Sequence, residues 1–125
     1  MDAAYVFRVR FRLDASGVRL DPREFETVLR LPAVDPDDED DPDGWLFFRD
    51  NLWRGDAAGE RHLRETASEL LGVDVTSVHF SELETDRASL ERLREAIAAD
   101  LAEFNADNVD EVLHKYLGSS IRVTD

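Results

Sequence analysis

The chain has 125 residues, with 29 Asp and Glu against 15 Arg and Lys, three His, no Cys and a formal charge of −14. That length suits one domain burying its own core, so a single domain over 1–125 is expected, and the lack of cysteine excludes disulfides, thiolate-bound metals, iron–sulfur clusters and a cysteine nucleophile. Lys115 is the one lysine among the 15 bases, and a carboxylate-rich, lysine-poor surface suits concentrated salt, where the Debye length shrinks to about 3 Å at 1 M and mutual repulsion is tolerable. No apolar signal region follows Met1 and no run of roughly 18 apolar residues occurs, so a cytoplasmic protein without a membrane partner is expected.

Residues 5–13 alternate with period two, which predicts a strand with Tyr5, Phe7, Val9, Phe11 and Leu13 on one face and Arg8, Arg10 and Arg12 on the other. Residues 14–17 predict a turn. Phe25, Thr27, Leu29 and Leu31 alternate likewise and predict a second strand, chosen over a helix opened by Asp21 and Pro22 because Pro32 would stop that helix early. Residues 35–44 hold seven acids and no base; they are expected to form a mobile acidic loop between two strands. By contrast, residues 1–34 carry six arginines against five acids.

Trp45, Leu46, Phe47 and Phe48 are apolar on every side and predict a third strand, covered on both faces or lying at a dimer seam. Leu63, Ala67, Leu70 and Leu71 follow helical spacing from Glu60 until Gly72 stops the helix. Residues 73–83 predict a strand with Val78 and Phe80 opposite His79 and Ser81. Asp86 is placed to cap a long helix carrying Leu90, Leu93, Ile97, Leu101 and Phe104; a last short helix spans Val109 to Leu117, and residues 121–123 form a terminal strand. The expected fold is α+β, an antiparallel or mixed β-sheet of four to five strands with two or three helices packed largely on one face.

Chemistry-bearing patterns are sparse. His62, His79 and His114 have no metal-ligand spacing; surface positions are expected for His62 and His114, and a place under a helix or in a cleft for His79. The six glycines form no phosphate-binding pattern, and neither a metal nor a cofactor is expected. Carboxylate pairs such as Glu82 and Glu84 carry little information in a chain with 29 acids. Nucleic-acid binding through Arg8, Arg10 and Arg12 is disfavoured, because the aromatic residues of that strand point the other way and phosphate binding weakens steeply with salt. Leu52-Trp53-Arg54-Gly55 is the most distinctive segment. A tryptophan beside an arginine can build a recognition surface, or it can be a core residue next to a structural ion pair.

Residues 48–55, Phe-Arg-Asp-Asn-Leu-Trp-Arg-Gly, together with residues 114–121, His-Lys-Tyr-Leu-Gly-Ser-Ser-Ile, resemble the LWR-salt proteins, a family of small halophilic-archaeal proteins named for the Leu-Trp-Arg segment. The similarity runs over nearly the whole chain. It implies a haloarchaeal, cytoplasmic origin and brings no assigned activity.

The leading expectation is a non-enzymatic interaction or assembly module, a homodimer or a partner of another protein, with Trp45, Phe47, Phe48 and Trp53 at the contact. Aromatics and arginine are the types enriched at interface centres. The rival is a small anionic-ligand binder or enzyme with a pocket near Arg54 and the 116–122 segment, using Trp53, Arg54, Tyr116, Ser119, Ser120 and Arg122.

Overall fold

The computed structural model describes residues 1–13, 24–53, 56–57 and 59–124; the turn expected at 14–17, the alternative helix start at Asp21, and Arg54 lie outside the described residues. Strands β1 (Ala3–Arg12) and β2 (Glu24–Pro32) run antiparallel in a register that sets Phe7 opposite Leu29 and Arg10 opposite Glu26. A single 3-10 turn (Gly44–Leu46) leads into helix α1 (Phe47–Asn51), which is followed by a short antiparallel pair, β3 (Leu52–Trp53) and β4 (Asp56–Ala57). Helix α2 (Glu60–Leu71), strand β5 (Asp74–Thr85), helices α3 (Arg87–Ala99) and α4 (Val109–Leu117) and strand β6 (Ile121–Val123) complete the chain. The main sheet has the order β2-β1-β5-β6, antiparallel except for the parallel β5–β6 pair. The fold is α+β, as expected.

Alternation along β1 splits the sheet into two faces. Tyr5, Phe7 and Val9 are buried in the core with Leu52, Leu63, Leu93, Ile97, Val112 and Leu117 from the other elements, while Arg8 and Arg10 stand in solvent. Strand β5 does not alternate evenly. Its register on β1 shifts twice, passing over Ser81 and Thr76, so that Val75, Val78 and Leu83 all reach the buried face. His79 pairs with Arg8 on the open face and is exposed, which places it neither under a helix nor in a cleft.

Two expectations fail at the 35–48 stretch. The acidic loop joins a strand to a helix, not a strand to a strand, and it is built from successive tight turns: Asp38 N–H donates to Asp35 O, Asp41 to Asp38, Gly44 to Asp41 and Leu46 to Asp43. The carboxylates of Asp35 and Asp38 reinforce these turns by accepting from the backbone N–H groups of Asp37 and Asp40. Residues 45–48 then continue as helix. A four-residue apolar run fits strand or helix equally by pattern, and here the helical spacing wins because it turns Trp45 and Phe48 together into the core, with the Asn51 amide donating to Phe47 O at the helix end.

Elsewhere the local signals carry through. Asp86 caps α3 by accepting from Ser89 N–H, and Asn108 caps α4 by accepting from Glu111 N–H. The stripe from Leu90 to Phe104 is not one helix: α3 ends at Ala99, and Leu101–Phe104 forms a 3-10 turn whose three-residue period still delivers buried Phe104. Gly72 ends α2 at φ +69°, a left-handed conformation suited to glycine. Leu70, expected on the apolar stripe, is instead 59% exposed, since Leu63 and Ala67 alone of that helix are fully buried.

Candidate functional site

The two segments singled out in the sequence, around Trp53 and around Tyr116, meet in space. A connected set of rings runs from the core outward: Phe48 stacks on Phe104 with centroids 5.6 Å apart, Tyr116 sets its edge against both at 5.8 and 6.2 Å, and Trp53 meets Tyr116 at 5.9 Å and 89°. Trp45 closes the inner end against Phe48 and Phe104. Such edge-to-face contacts are each favourable by about 0.5–1.5 kcal/mol beyond the area they bury.

The two tryptophans end up in opposite surroundings. Trp45 is 7% exposed and Phe48 fully buried, so neither offers area to a partner without opening the core. Trp53 is 48% exposed at the outer end. Phe47 is partly buried against Tyr5 at 4.8 Å and Phe7 at 6.4 Å.

Lys115 joins the cluster from α4. Its ammonium lies 5.0 Å from the Trp53 ring centroid and 5.5 Å from that of Tyr116, and it donates to the Phe104 carbonyl at 3.3 Å. The chain's one lysine therefore sits on its one half-exposed tryptophan, held by ring electrons on two sides and by a carbonyl at the end of the 3-10 turn.

The remaining expected binding residues are elsewhere. Ser119 is exposed, Ser120 accepts from Leu83 N–H through its backbone carbonyl, and Arg122 on β6 lies 3.8 Å from Glu82 and 3.9 Å from Glu84. Arg122 thus faces carboxylates on β5, and Arg30 pairs with Glu84 from the other side. Val6, opposite Arg30 and Glu82 in the sheet register, is buried at that end of the open face. Arg54 and Gly55 separate β3 from β4 in the chain and lie outside the described residues.

A family model described as LWR-salt protein matches residues 1–125. The chain belongs to the LWR-salt family. No curated protein and no solved structure matches it. In this LWR-salt chain the Leu-Trp-Arg segment divides its roles: Leu52 is in the core, and Trp53 is at the surface. The family assigns no function.

Two features escaped the sequence reading. The first is the placement of Lys115, since nothing in its spacing announces a tryptophan 62 positions earlier. The second is a pocket of about 390 Å³ on the β2 side of α1, floored by Tyr5, Leu31 and Phe47 and edged by Asp41, Asp43 and Asp50. Burial pushes the Tyr5 hydroxyl's pKa well above the ordinary phenol range, against a hydrogen bond from the Phe48 backbone, so this wall of the pocket is neutral. Among the described residues no group of three His, Asp or Glu side chains is arranged to hold a metal ion, and no helix is long and apolar enough to cross a membrane.

Proposed function

We propose that this LWR-salt protein is a non-enzymatic interaction module that docks another protein chain, a second copy first of all, onto the surface formed by Trp53 and Lys115 over buried Tyr116. The observation that carries this reading is the state of Trp53: a large ring left 48% exposed yet fixed by an edge contact to buried Tyr116 and by the Lys115 ammonium. A side chain already ordered before binding loses little rotamer freedom on docking, and tryptophan is among the types that dominate binding energy at interface centres. Lys115 adds a positive charge where a carboxylate-rich partner can meet it, and another copy of this chain is such a partner. Arginines of the open sheet face are less available, because Arg8 and Arg10 lie within 4.0 and 3.9 Å of Glu26 and Arg12 within 3.5 Å of Glu24.

The test is mass measurement in solution, by sedimentation or light scattering, at 0.2 and 3 M KCl. A dimer that becomes monomer in Trp53→Ala, with helix content unchanged, supports the reading. A wild-type chain that stays monomeric at all concentrations and salts rules out self-association.

A further inference from the structure

The pocket between α1 and β2 combines a hydrocarbon floor with a one-signed rim. Tyr5, Leu31 and Phe47 supply the floor; Asp41 and Asp43 come from the acidic loop and Asp50 from α1. The loop is held in place there by its own turns and by Arg92 pairing with Asp35 and Asp37, and the Asp41 carboxylate lies so close to Gly44 that a Cβ at that position would run into it. Arg49, next to Asp50 in the chain, lies 3.0 Å from its carboxylate and is shared with Glu103 at 3.1 Å. Three carboxylates against part of one cation leave the mouth of the pocket negative.

We propose that this pocket binds a small organic cation, an amine carrying an aryl or alkyl body, with the body on Tyr5, Leu31 and Phe47 and the ammonium among Asp41, Asp43 and Asp50. Its volume lies within the range of small-molecule sites, which are apolar inside with a few polar groups that orient the ligand. The same carboxylates are not grouped to chelate a metal ion, and a bare cation would gain nothing from the apolar floor. An anion of the same shape meets repulsion at the rim. The site lies on the opposite side of α1 from Tyr116 and does not depend on the docking role of Trp53: Phe47 faces Tyr5 and Phe7, whereas Phe48 faces Phe104 and Tyr116.

The experiment is a titration of the full chain with phenethylammonium, followed by amide NMR shifts, with methylammonium and phenylacetate as matched compounds lacking the body and the positive charge respectively. Saturable shifts confined to Tyr5, Leu31 and residues 41–51 are expected for phenethylammonium, with the other two compounds weaker by at least about tenfold, methylammonium because it loses the apolar burial and phenylacetate because it loses the charge-assisted contact. Asp41→Asn with Asp43→Asn should weaken binding by about tenfold, and Asp43→Lys should abolish it; both positions are exposed, and an unchanged spectrum for β1 and β5 confirms that the variants are folded. Affinity should fall as KCl rises. Equal binding of phenylacetate would show an unselective apolar trap, equal binding of methylammonium would show an ordinary counter-ion atmosphere, and shifts that do not saturate would show no site; each overturns the proposal. Trp53→Ala should bind phenethylammonium as the wild type does, so failure of the docking role and failure of this site are told apart.

Discussion

The two faces of the sheet are held by different physics. On the helical face, Tyr5, Phe7 and Val9 are shut away with the rings of Phe48 and Phe104, where stability follows from apolar area removed from water and from close packing. On the open face, Arg8, Arg10, Arg12, Arg30 and Arg122 stand opposite Glu24, Glu26, Glu82 and Glu84, and exposed pairs of this kind contribute only about 0–1 kcal/mol each. The first face should respond to lost volume and hardly to salt; the second should respond to ions and pH and hardly to any single truncation. Trp53 and Lys115 lie between the two regimes, an apolar ring at the surface held by a charge.

The largest effect should come from breaking the inner end of the ring cluster. Phe48→Ala leaves a hole among Trp45, Phe104 and Tyr116 and should cost about 3–5 kcal/mol, most of the stability of a marginal domain. Trp53→Ala at the outer end should cost about 1 kcal/mol. Chemical denaturation of both variants checks this, and equal losses would mean that Trp53 is a core residue in effect.

Next in size is the response to salt. With a formal charge of −14, repulsion outweighs the open-face pairs, so the melting midpoint at pH 7 should rise from 0.1 to 1 M KCl by about 5 °C. Screening between exposed charges is nearly complete by then, the Debye length being some 3 Å. A midpoint flat from 0.1 to 3 M would remove the case for salt adaptation.

Removing the charge that holds Trp53 is a smaller perturbation. Lys115→Gln should lower stability by about 0.5–1 kcal/mol, the size of an exposed cation–ring contact, and should change the fluorescence of Trp53 measured in a Trp45→Phe background. An unchanged spectrum would show that Lys115 does not rest on the ring in solution.

The smallest effect separates repulsion from specific bonds by pH. Asp35 is held below the ordinary aspartate pKa of 3.8 by the Asp37 backbone N–H, with Arg92 adding to it, and Asp86 is held below it by the Ser89 hydroxyl and backbone N–H. A folded-state pKa depressed in this way adds stability that is fully present above 3.8 and is lost as pH falls through the folded value. At low salt, lowering pH from 7 towards 4.5 should therefore raise the melting midpoint as carboxylate repulsion fades, and further acid should lower it. Asp35→Asn and Asp86→Asn should each flatten the acid limb, which thermal melts across pH will detect.

Much of the fold was legible because its signals are local. Period-two alternation placed β1 and β2, Asp86 stands where a cap belongs, and Gly72 marks the end of α2, each following from the geometry of a few adjacent residues. The stretch from 45 to 48 was misread as strand because an all-apolar run carries no period, and its conformation depended on which partners Trp45 and Phe48 would find. The uneven faces of β5 escaped for a related reason: the register shifts at Ser81 and Thr76 exist only against β1.

By itself, then, the sequence determined the acidic surface, the α+β class, most element boundaries and membership in the LWR-salt family, all of which depend on composition and on near neighbours in the chain. Tertiary structure alone decided that Trp45 is buried and Trp53 exposed, that Lys115 crosses to Trp53, that Arg122 faces Glu82 and Glu84, and that Asp41 and Asp43 edge an apolar pocket. These are meetings between residues far apart in the chain. Which side chain meets which depends on how helices and strands pack against one another, and no short-range pattern encodes it.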